Sequence, residues 1–336
     1  MQRQLSTLSG HINLTTMVER WDLRIPFVTA RGTRTEVEVL VVEIAADGHT
    51  GRGEATPSRS LSESASSCLG EIARVFGSEV LTAIDFGRRV AMMPSGAARS
   101  ALDSAIWDLT AKHCGTRVWT MASMKAPTTR KTIQTISAGR PDEMVSQALL
   151  CGAAEVLKLK LDGKHDDRKV RAVRRALPNA RLIVDANESW TMNQLVTWSV
   201  TMKELGVELI EQPLPAGSDT ALSHFNRIVP ICADESFTDP NHLAVLASRY
   251  DFVNIKLDKL GGLSSALVAT KIAKSHGLGI MLGCMIGTSL GMAPSTMLFD
   301  QATYIDLDGP SFLASDREPP LWCDGLVSAP LPALWG

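Results

Sequence analysis

Short apolar segments rich in β-branched residues alternate with amphipathic segments of helical length from about residue 131 onward. Stretches with helical patterning at 166–176, 192–205 and 264–276 separate several of the apolar segments. The alternation predicts a parallel βα barrel. A doubly wound open sheet is the alternative, but no G-x-G-x-x-G follows the first strand. The predicted strands are 132–138, 156–161, 182–186, 207–211, 228–233, 252–257, 279–282 and 303–307.

The first third of the chain has a different pattern, which predicts an α+β region. Residues 36–44 are rich in valine and lead into Asp47-Gly48, a favoured hairpin turn, before a short strand at 50–54. Within 96–113, apolar residues recur at helical spacing and predict an amphipathic helix. Residues 126–129 have the composition of a connector.

Charged residues stand at the ends of five consecutive predicted strands. The steps between them are 25, 26, 23 and 22 residues, each about the length of one βα unit. Taken singly, such carboxylates could cap helices or form salt bridges. Together, at one repeating step, they are expected to converge at the mouth of the barrel, where burial demands pairing or a metal ion. The five residues are Lys160, Asp185, Glu211, Asp234 and Lys256.

Strand geometry refines this expectation, because side chains alternate between the two faces of a strand. Lys158 and Lys160 should therefore point the same way. By the same rule, only one of Asp234 and Glu235 should face the interior. Asp306 and Asp308, at the end of the last strand, also share a face, although Asp-Gly-Pro is good turn chemistry as well.

The residue types point to a reaction. Asp185, Glu211 and Asp234 form a hard-oxygen set without histidine or cysteine, which favours Mg²⁺. Lysines flank this set on both sides, so a carboxylate bound at the metal would have one amine at each face of its α-carbon. One lysine could remove the α-proton and the other return it, with the metal stabilising the enediolate. Lys158 and the cation should lower the pKa of the base.

Composition narrows the classes of partner. Lys and Arg number 34 and Asp and Glu 36, a net charge of −2, which offers no basic surface for nucleic acid or an anionic membrane. No apolar run approaches the length of a membrane helix, and the start of the chain lacks the apolar segment of a secretory signal. The six cysteines are scattered without a CxxC pair. We expect a soluble, cytoplasmic protein.

The segments around these residues resemble the enolase superfamily, within it the muconate-lactonizing-enzyme subgroup, and most closely the dipeptide epimerases. The similarity extends over nearly the whole chain. It includes Gly53-Glu54-Ala55-Thr56-Pro57, Lys158-Leu159-Lys160, Asp185-Ala186-Asn187-Glu188, Glu211-Gln212-Pro213, Ala233-Asp234-Glu235-Ser236, Asn254-Ile255-Lys256-Leu257-Asp258-Lys259 and Asp306-Leu307-Asp308-Gly309-Pro310. A lysine base combined with Mg²⁺ is a known pattern of this superfamily.

The resemblance implies a (β/α)₇β barrel at 126–312, an α+β capping domain at 1–125 and a C-terminal segment at 313–336 that returns to the cap. It implies an isomerase that epimerises dipeptides such as L-Ala-D/L-Glu. Such an enzyme would act in murein peptide metabolism. The implied Mg²⁺ ligands are Asp185, Glu211 and Asp234, and the implied acid/base residues are Lys160 and Lys256.

The resemblance also implies a set of substrate contacts. Lys158 would bind the substrate carboxylate, and Asp306 and Asp308 would bind the free α-ammonium group of the dipeptide. Arg34 would hold an acidic side chain. Further contacts would come from Thr135, Cys284 and Met285.

Several alternatives stay open. A cycloisomerase, an o-succinylbenzoate synthase or an N-acylamino acid racemase would use the same scaffold. A metal-free Schiff-base lyase or a binding protein on a decayed barrel is more distant. The second capping loop, residues 58–62, lacks the tyrosines expected of L-Ala-D/L-Glu enzymes, so the preferred side chains and the role of Arg59 are undecided. A homo-oligomer is also left open.

Overall fold

A computed structural model describes Leu5 and residues 7–77, 79–152 and 154–336. Residues 1–4, the start of the predicted capping domain, lie outside the described residues. The strands are β1 (His11–Thr29), β2 (Gly32–Ala46), β3 (His49–Ala55), β4 (Leu81–Thr82), β5 (Arg130–Lys131), β6 (Gln134–Ile136), β7 (Val156–Lys160), β8 (Arg181–Asp185), β9 (Val207–Glu211), β10 (Ile231–Ala233), β11 (Phe252–Ile255), β12 (Gly279–Gly283), β13 (Tyr304–Asp306), β14 (Trp322–Cys323) and β15 (Leu326–Val327).

Helices connect most of these strands. The α-helices are α1 (Ala65–Phe76), α2 (Ala83–Met92), α3 (Ala97–His113), α4 (Val118–Met121), α5 (Pro141–Leu150), α6 (Asp166–Ala176), α7 (Met192–Glu204), α8 (Leu243–Leu246), α9 (Leu257–Leu260), α10 (Leu263–Ser275) and α11 (Ser289–Met292). Short 3-10 helices occupy Arg59–Leu61, Thr220–His224, Pro240–His242, Ala293–Gln301 and Gly309–Phe312.

Strands β6 to β13 form one parallel sheet in chain order. The backbone N–H of Ile133 donates to the carbonyl of Ile305 at 2.7 Å, which brings the first and last strands together. The predicted βα barrel is thereby confirmed over the open sheet, and each of its strands overlaps a predicted segment. Because β13 is followed by a 3-10 helix rather than an eighth barrel helix, the architecture is (β/α)₇β.

The capping region is built on a second sheet, antiparallel, with strand order β3-β2-β1-β4. The predicted hairpin is confirmed, since β2 pairs with β3 across Asp47 and Gly48. Both turn residues have positive φ, 49° and 78°, as a tight two-residue hairpin turn requires. Helices α1 and α2 pack against this sheet around Phe76 and Phe86.

Helix α3 lies between the capping sheet and the barrel. A Cβ atom on Gly53 would come within 2.0 Å of the carbonyl of Ala101, so glycine permits β3 and the helix backbone to touch. On the other side, Trp107 Nε1 donates to Ser264 Oγ at 3.0 Å. The helix is therefore buried on nearly all sides, whereas its sequence pattern predicts one apolar face. Alanine, serine and aspartate residues of α3 make the contacts on the faces beyond the predicted apolar one.

The end of the chain contacts both regions. Strand β15 pairs with β5 near the base of the barrel. Arg317, which precedes β14, donates to the buried carboxylate of Glu54 in β3. The Gly336 N–H donates to Asp108 in α3. In the described part of the chain, no helix has the length and apolarity needed to cross a bilayer.

Candidate active site

One cavity lies between the carboxyl ends of the barrel strands and two capping loops, the first being the turn between β1 and β2 and the second residues 58–62. Ten of the twelve predicted site residues line it, and Asp185 and Glu211 lie fully buried beneath them. The ten are Arg34, Thr135, Lys158, Lys160, Asp234, Lys256, Cys284, Met285, Asp306 and Asp308. Other lining residues are not among those predicted from the sequence, for example Thr29, Arg31, Asn187, Glu235 and Lys259.

Strand register aligns the charged side chains. Lys160 on β7 pairs with Asp185 on β8, which in turn pairs with Glu211 on β9. Asp234 and Lys256 directly follow the ends of β10 and β11. The five residues thus form a row with one lysine at each end and three carboxylates between them.

Lys158 lies at the centre of the carboxylates. Its Nζ is 2.7 Å from Glu211 Oε2, 3.3 Å from Asp185 Oδ2 and 2.8 Å from Asp306 Oδ2. Lys160 shares Asp185, at 2.5 Å. Both lysines therefore point to the same face of β7, as strand alternation predicts.

Asp234 is held by two lysines. Lys256 Nζ lies 2.7 Å from Asp234 Oδ2, and Lys259 Nζ lies 2.5 Å from Oδ1. Lys259 is almost fully buried, at 1% exposure. It follows Lys256 by three residues at the start of α9, which is the helical spacing that places two side chains together. That spacing could have identified it from the sequence.

These contacts shift the pKa values of the lysines and carboxylates in the site. Burial opposes the charge of Lys256, but the carboxylate of Asp234 outweighs it and raises the pKa of Lys256 above its usual range. The same balance, dominated by three carboxylates, raises the pKa of Lys158. Lys158 itself acts to lower the pKa of Lys256, as expected, and the further lowering by a bound cation stays a prediction. The Asp185 pKa falls to about 2, because the two lysines outweigh its desolvation.

The position of Glu235 differs from the one that strand alternation predicts. Asp234 and Glu235 are both buried and both line the cavity, so the expectation that only one faces inward is wrong. Strand β10 ends at Ala233, and the alternation rule ends with it. Burial, followed by repulsion from Asp234, raises the Glu235 pKa to about 7 despite a salt bridge with Arg31 at 2.5 Å.

The three carboxylates suit a hard divalent cation. Glu211 accepts one hydrogen bond at Oε1, from Asn254 Nδ2 at 2.8 Å, while its buried Oε2 accepts none in good geometry. Burial raises the Glu211 pKa to about 6, with Asp185 adding to the shift. No three acidic, histidine or cysteine side chains among the described residues already form a coordination cluster. Three lysine ammonium groups, those of Lys158, Lys160 and Lys256, pair with these carboxylates.

Two aspartates at the carboxyl end of β13, Asp306 and Asp308, also line the cavity. Asp308 Oδ2 accepts a hydrogen bond from the Thr135 N–H at 2.6 Å. Burial and the neighbouring Asp306 raise the Asp308 pKa to about 7. Asp306 Oδ1 is buried and accepts no hydrogen bond. This pair supplies acceptors for a cationic group.

The capping loops bring positive charge to the same cavity. Within the described ranges, no carboxylate forms a salt bridge with Arg34 or Arg59. Burial, together with the charges of Arg59 and Arg31, lowers the pKa of Arg34. An anionic group in the cavity would relieve this repulsion.

The comparisons with known proteins agree with the fold. Residues 11–122 match the family described as mandelate racemase/muconate lactonizing enzyme, N-terminal domain, and residues 143–330 match the family described as enolase C-terminal domain-like. The chain belongs to the enolase superfamily. The resemblance inferred from the sequence motifs is confirmed.

Two relatives of this enolase superfamily member are an epimerase and a racemase. It is 43% identical to L-Ala-D/L-Glu epimerase of Escherichia coli K12 over 307 residues, which cover 90% of this chain and 95% of that protein. It is 40% identical to N-acetyl-D-glutamate racemase of a Pseudoalteromonas species over 300 residues, covering 89% and 95%.

Solved structures of superfamily members superpose closely on this one. An Agrobacterium tumefaciens protein with homology to dipeptide epimerases, solved with sodium and L-Ala-L-Glu, matches with a TM-score of 0.88 at 40% identity, covering 97% of this chain and 100% of that one. A Methylococcus capsulatus dipeptide epimerase, solved with Mg and L-Arg-D-Lys, matches with a TM-score of 0.87 at 30% identity, covering 96% and 97%.

Proposed function

We propose that this protein is a Mg²⁺-dependent dipeptide epimerase that inverts the α-carbon of the C-terminal residue by 1,1-proton transfer. The observation that carries the proposal is the position of Lys160 and Lys256 at opposite ends of the carboxylate row, paired with Asp185 and Asp234. The epimerases among its relatives support the reaction class, and the Mg-bound M. capsulatus structure supports the metal.

Asp185, Glu211 and Asp234 would hold the cation. When bound, the cation supplies the positive charge that makes the α-proton of a carboxylate acidic. Lys160 and Lys256 each reach the site from one end of the row, so one removes the α-proton and the other delivers a proton to the opposite face. Each lysine must lose its proton before it acts as a base.

The preferred substrate is a dipeptide with an acidic C-terminal residue, as in L-Ala-D/L-Glu. Arg34, without a carboxylate partner among the described residues, would bind the acidic side chain. Asp306 and Asp308 would bind the α-ammonium group, and Lys158 the substrate carboxylate. Thr135, Cys284 and Met285 would complete the wall of the cavity.

A second candidate is a racemase of N-acetylglutamate, favoured by the 40% identity to the Pseudoalteromonas enzyme. An N-acylated substrate carries no ammonium group, so the Asp306 and Asp308 pair would lack a partner. This pair leads us to place the dipeptide first. Cycloisomerase and o-succinylbenzoate synthase activities make no use of the pair either.

One experiment separates these activities. The protein is incubated with Mg²⁺ in D₂O with L-Ala-L-Glu, L-Ala-D-Glu or N-acetyl-L-glutamate, and deuterium at the α-carbon is followed by mass spectrometry. We expect deuterium in both dipeptides and their interconversion. Incorporation into N-acetylglutamate alone would replace the dipeptide assignment, and incorporation into none would reject both.

We also propose the domain division at 1–125, 126–312 and 313–336, supported by the separate sheets of the cap and the barrel. The cytoplasmic location, the place in murein peptide metabolism and a homo-oligomeric state stay predictions.

A further inference from the structure

Arg31 joins the first capping loop to the barrel. It lies in the turn between β1 and β2, and its Nη2 lies 2.6 Å from Glu188 Oε2 and 2.5 Å from Glu235 Oε1. Glu188 follows β8, and Glu235 follows β10. One guanidinium group thus connects a loop of the cap to two different loops at the barrel mouth.

Both carboxylates are themselves fixed on the barrel. Glu188 Oε1 accepts the N–H of Ala216 at 2.7 Å, and the Glu188 N–H donates to the carbonyl of Gln212 at 2.9 Å. Glu188 has φ of 69°, a conformation that these contacts must maintain. The Glu235 side chain is 4% exposed, so its charge depends on Arg31 for compensation. The barrel therefore presents a rigid acidic pair to the loop.

Arg34 follows Arg31 by three residues in the same turn region. Thr33 pairs with Val28 and Arg34 with Phe27 across the two strands, so the turn moves as one unit. Arg34 has no salt bridge of its own within the described residues and is repelled by Arg59 and Arg31. Strand pairing fixes the backbone of Arg34, but no carboxylate among the described residues fixes its guanidinium group, whereas Arg31 holds the turn that carries it.

We propose that Arg31 is a positioning residue: its salt bridges to Glu188 and Glu235 latch the β1–β2 turn to the barrel and thereby hold Arg34 where it selects substrates with an acidic side chain. The selectivity part of this inference rests on the proposed function. The latch itself does not, because it is a property of the loop.

The first test measures the loop without substrate. Hydrogen exchange of peptides covering residues 27–36 is compared between the wild-type protein, Arg31→Gln, Glu188→Gln and Arg20→Gln. Arg20 is the matched control, since it pairs with Glu38 inside the same hairpin and does not reach the barrel. We expect faster exchange in Arg31→Gln, a smaller increase in Glu188→Gln and no change in Arg20→Gln. Unchanged exchange in Arg31→Gln would overturn the latch.

The second test measures selectivity, as the ratio of kcat/KM for L-Ala-L-Glu to that for the neutral isostere L-Ala-L-Gln. We expect Arg31→Gln to lower this ratio about tenfold, mainly through KM. In an Arg34→Gln background, the same change should lower the ratio no further, because Arg31 acts through Arg34. Additive losses, or an equal kcat loss for both dipeptides, would contradict the positioning role.

The latch and the proposed function can be rejected independently. If the wild-type protein epimerises no dipeptide while Arg31→Gln still accelerates loop exchange, the proposed function is wrong and the latch stands. If the wild-type protein epimerises L-Ala-L-Glu while neither exchange nor selectivity responds to Arg31→Gln, the latch is wrong and the function stands.

Discussion

Lys158 Nζ lies 2.8 Å from Asp306 Oδ2, across a distance of 148 residues in the chain. The pair joins the residue we assign to the substrate carboxylate with a residue we assign to the substrate ammonium group. Both side chains are buried, at 2% and 7% exposure, so water screens neither charge strongly. A zwitterionic dipeptide would present a carboxylate to Lys158 and an ammonium group to Asp306.

This relationship predicts the effect of Asp306→Asn. The variant keeps the shape of the side chain but loses the charge that pairs with the α-ammonium group, so kcat/KM for L-Ala-L-Glu should fall about a hundredfold. Steady-state kinetics measures the loss. Asp300→Asn is the control, because Asp300 is exposed, pairs with Arg130 and lies away from the cavity. Unchanged kinetics in Asp306→Asn would favour an N-acylated substrate.

Substitution of each of the two lysines should block epimerisation but leave proton exchange at one face of the α-carbon. Lys160→Ala and Lys256→Ala should each abolish epimerisation, since inversion needs a proton at both faces. Each variant should still exchange the α-proton of one epimer, because the remaining lysine faces it. Deuterium incorporation into L-Ala-L-Glu and L-Ala-D-Glu, measured separately for each variant, tests this. Exchange of both epimers by either variant would contradict the two-sided arrangement.

Metal binding should be visible without catalysis. A cation at about a hundred times its Kd would stabilise the folded state by about 2.7 kcal/mol, so Mg²⁺ should raise Tm by several degrees. Glu211→Gln should remove this shift, whereas Glu208→Gln should retain it, because Glu208 is on the same strand but pairs with Arg181 at the other end. Thermal melts with EDTA and with Mg²⁺ measure it. Turnover that persists in EDTA would support a Schiff-base lyase.

The stability of the protein should depend on Asp103, which is buried between α3 and the start of α10. Burial raises its pKa to about 6, although it accepts the N–H of Ser264 at 3.0 Å. Between about pH 4 and pH 6 the native state keeps a proton that the unfolded state has released. The free energy of unfolding contributed by this group therefore falls as pH rises through that window and is level above it.

Asp103→Asn removes this titration while its side-chain oxygen can still accept from Ser264. Relative to the wild-type protein, the variant should gain about 3 kcal/mol of unfolding free energy between pH 4 and pH 7, at about 1.4 kcal/mol per pKa unit. Urea unfolding at a series of pH values measures the difference. A difference that does not change with pH would show that the pKa of Asp103 is the same in the folded and unfolded states, and would contradict the prediction.

Much of the barrel and of the candidate site was predictable because both follow local, periodic rules. The apolar segments matched strands β6 to β13 within a few residues. The 22- to 26-residue steps between charged strand ends placed Lys160, Asp185 and Glu211 in register, because successive parallel strands end at one edge. Strand alternation placed Asp306 and Asp308 on one face, and the family motifs added their role and the choice of Arg34.

The sequence by itself determined the fold class, the row of carboxylates and the lysines at its ends, because these depend on periods of two and 3.6 residues and on the length of a βα unit. Only the tertiary structure decided that Glu235 faces the cavity, that α3 is buried on both sides and that Arg31 reaches barrel residues 157 and 204 positions away. The physical reason is that strand alternation stops where a strand ends. Beyond that point, the direction of a side chain depends on loop conformations and charges that distant parts of the chain supply.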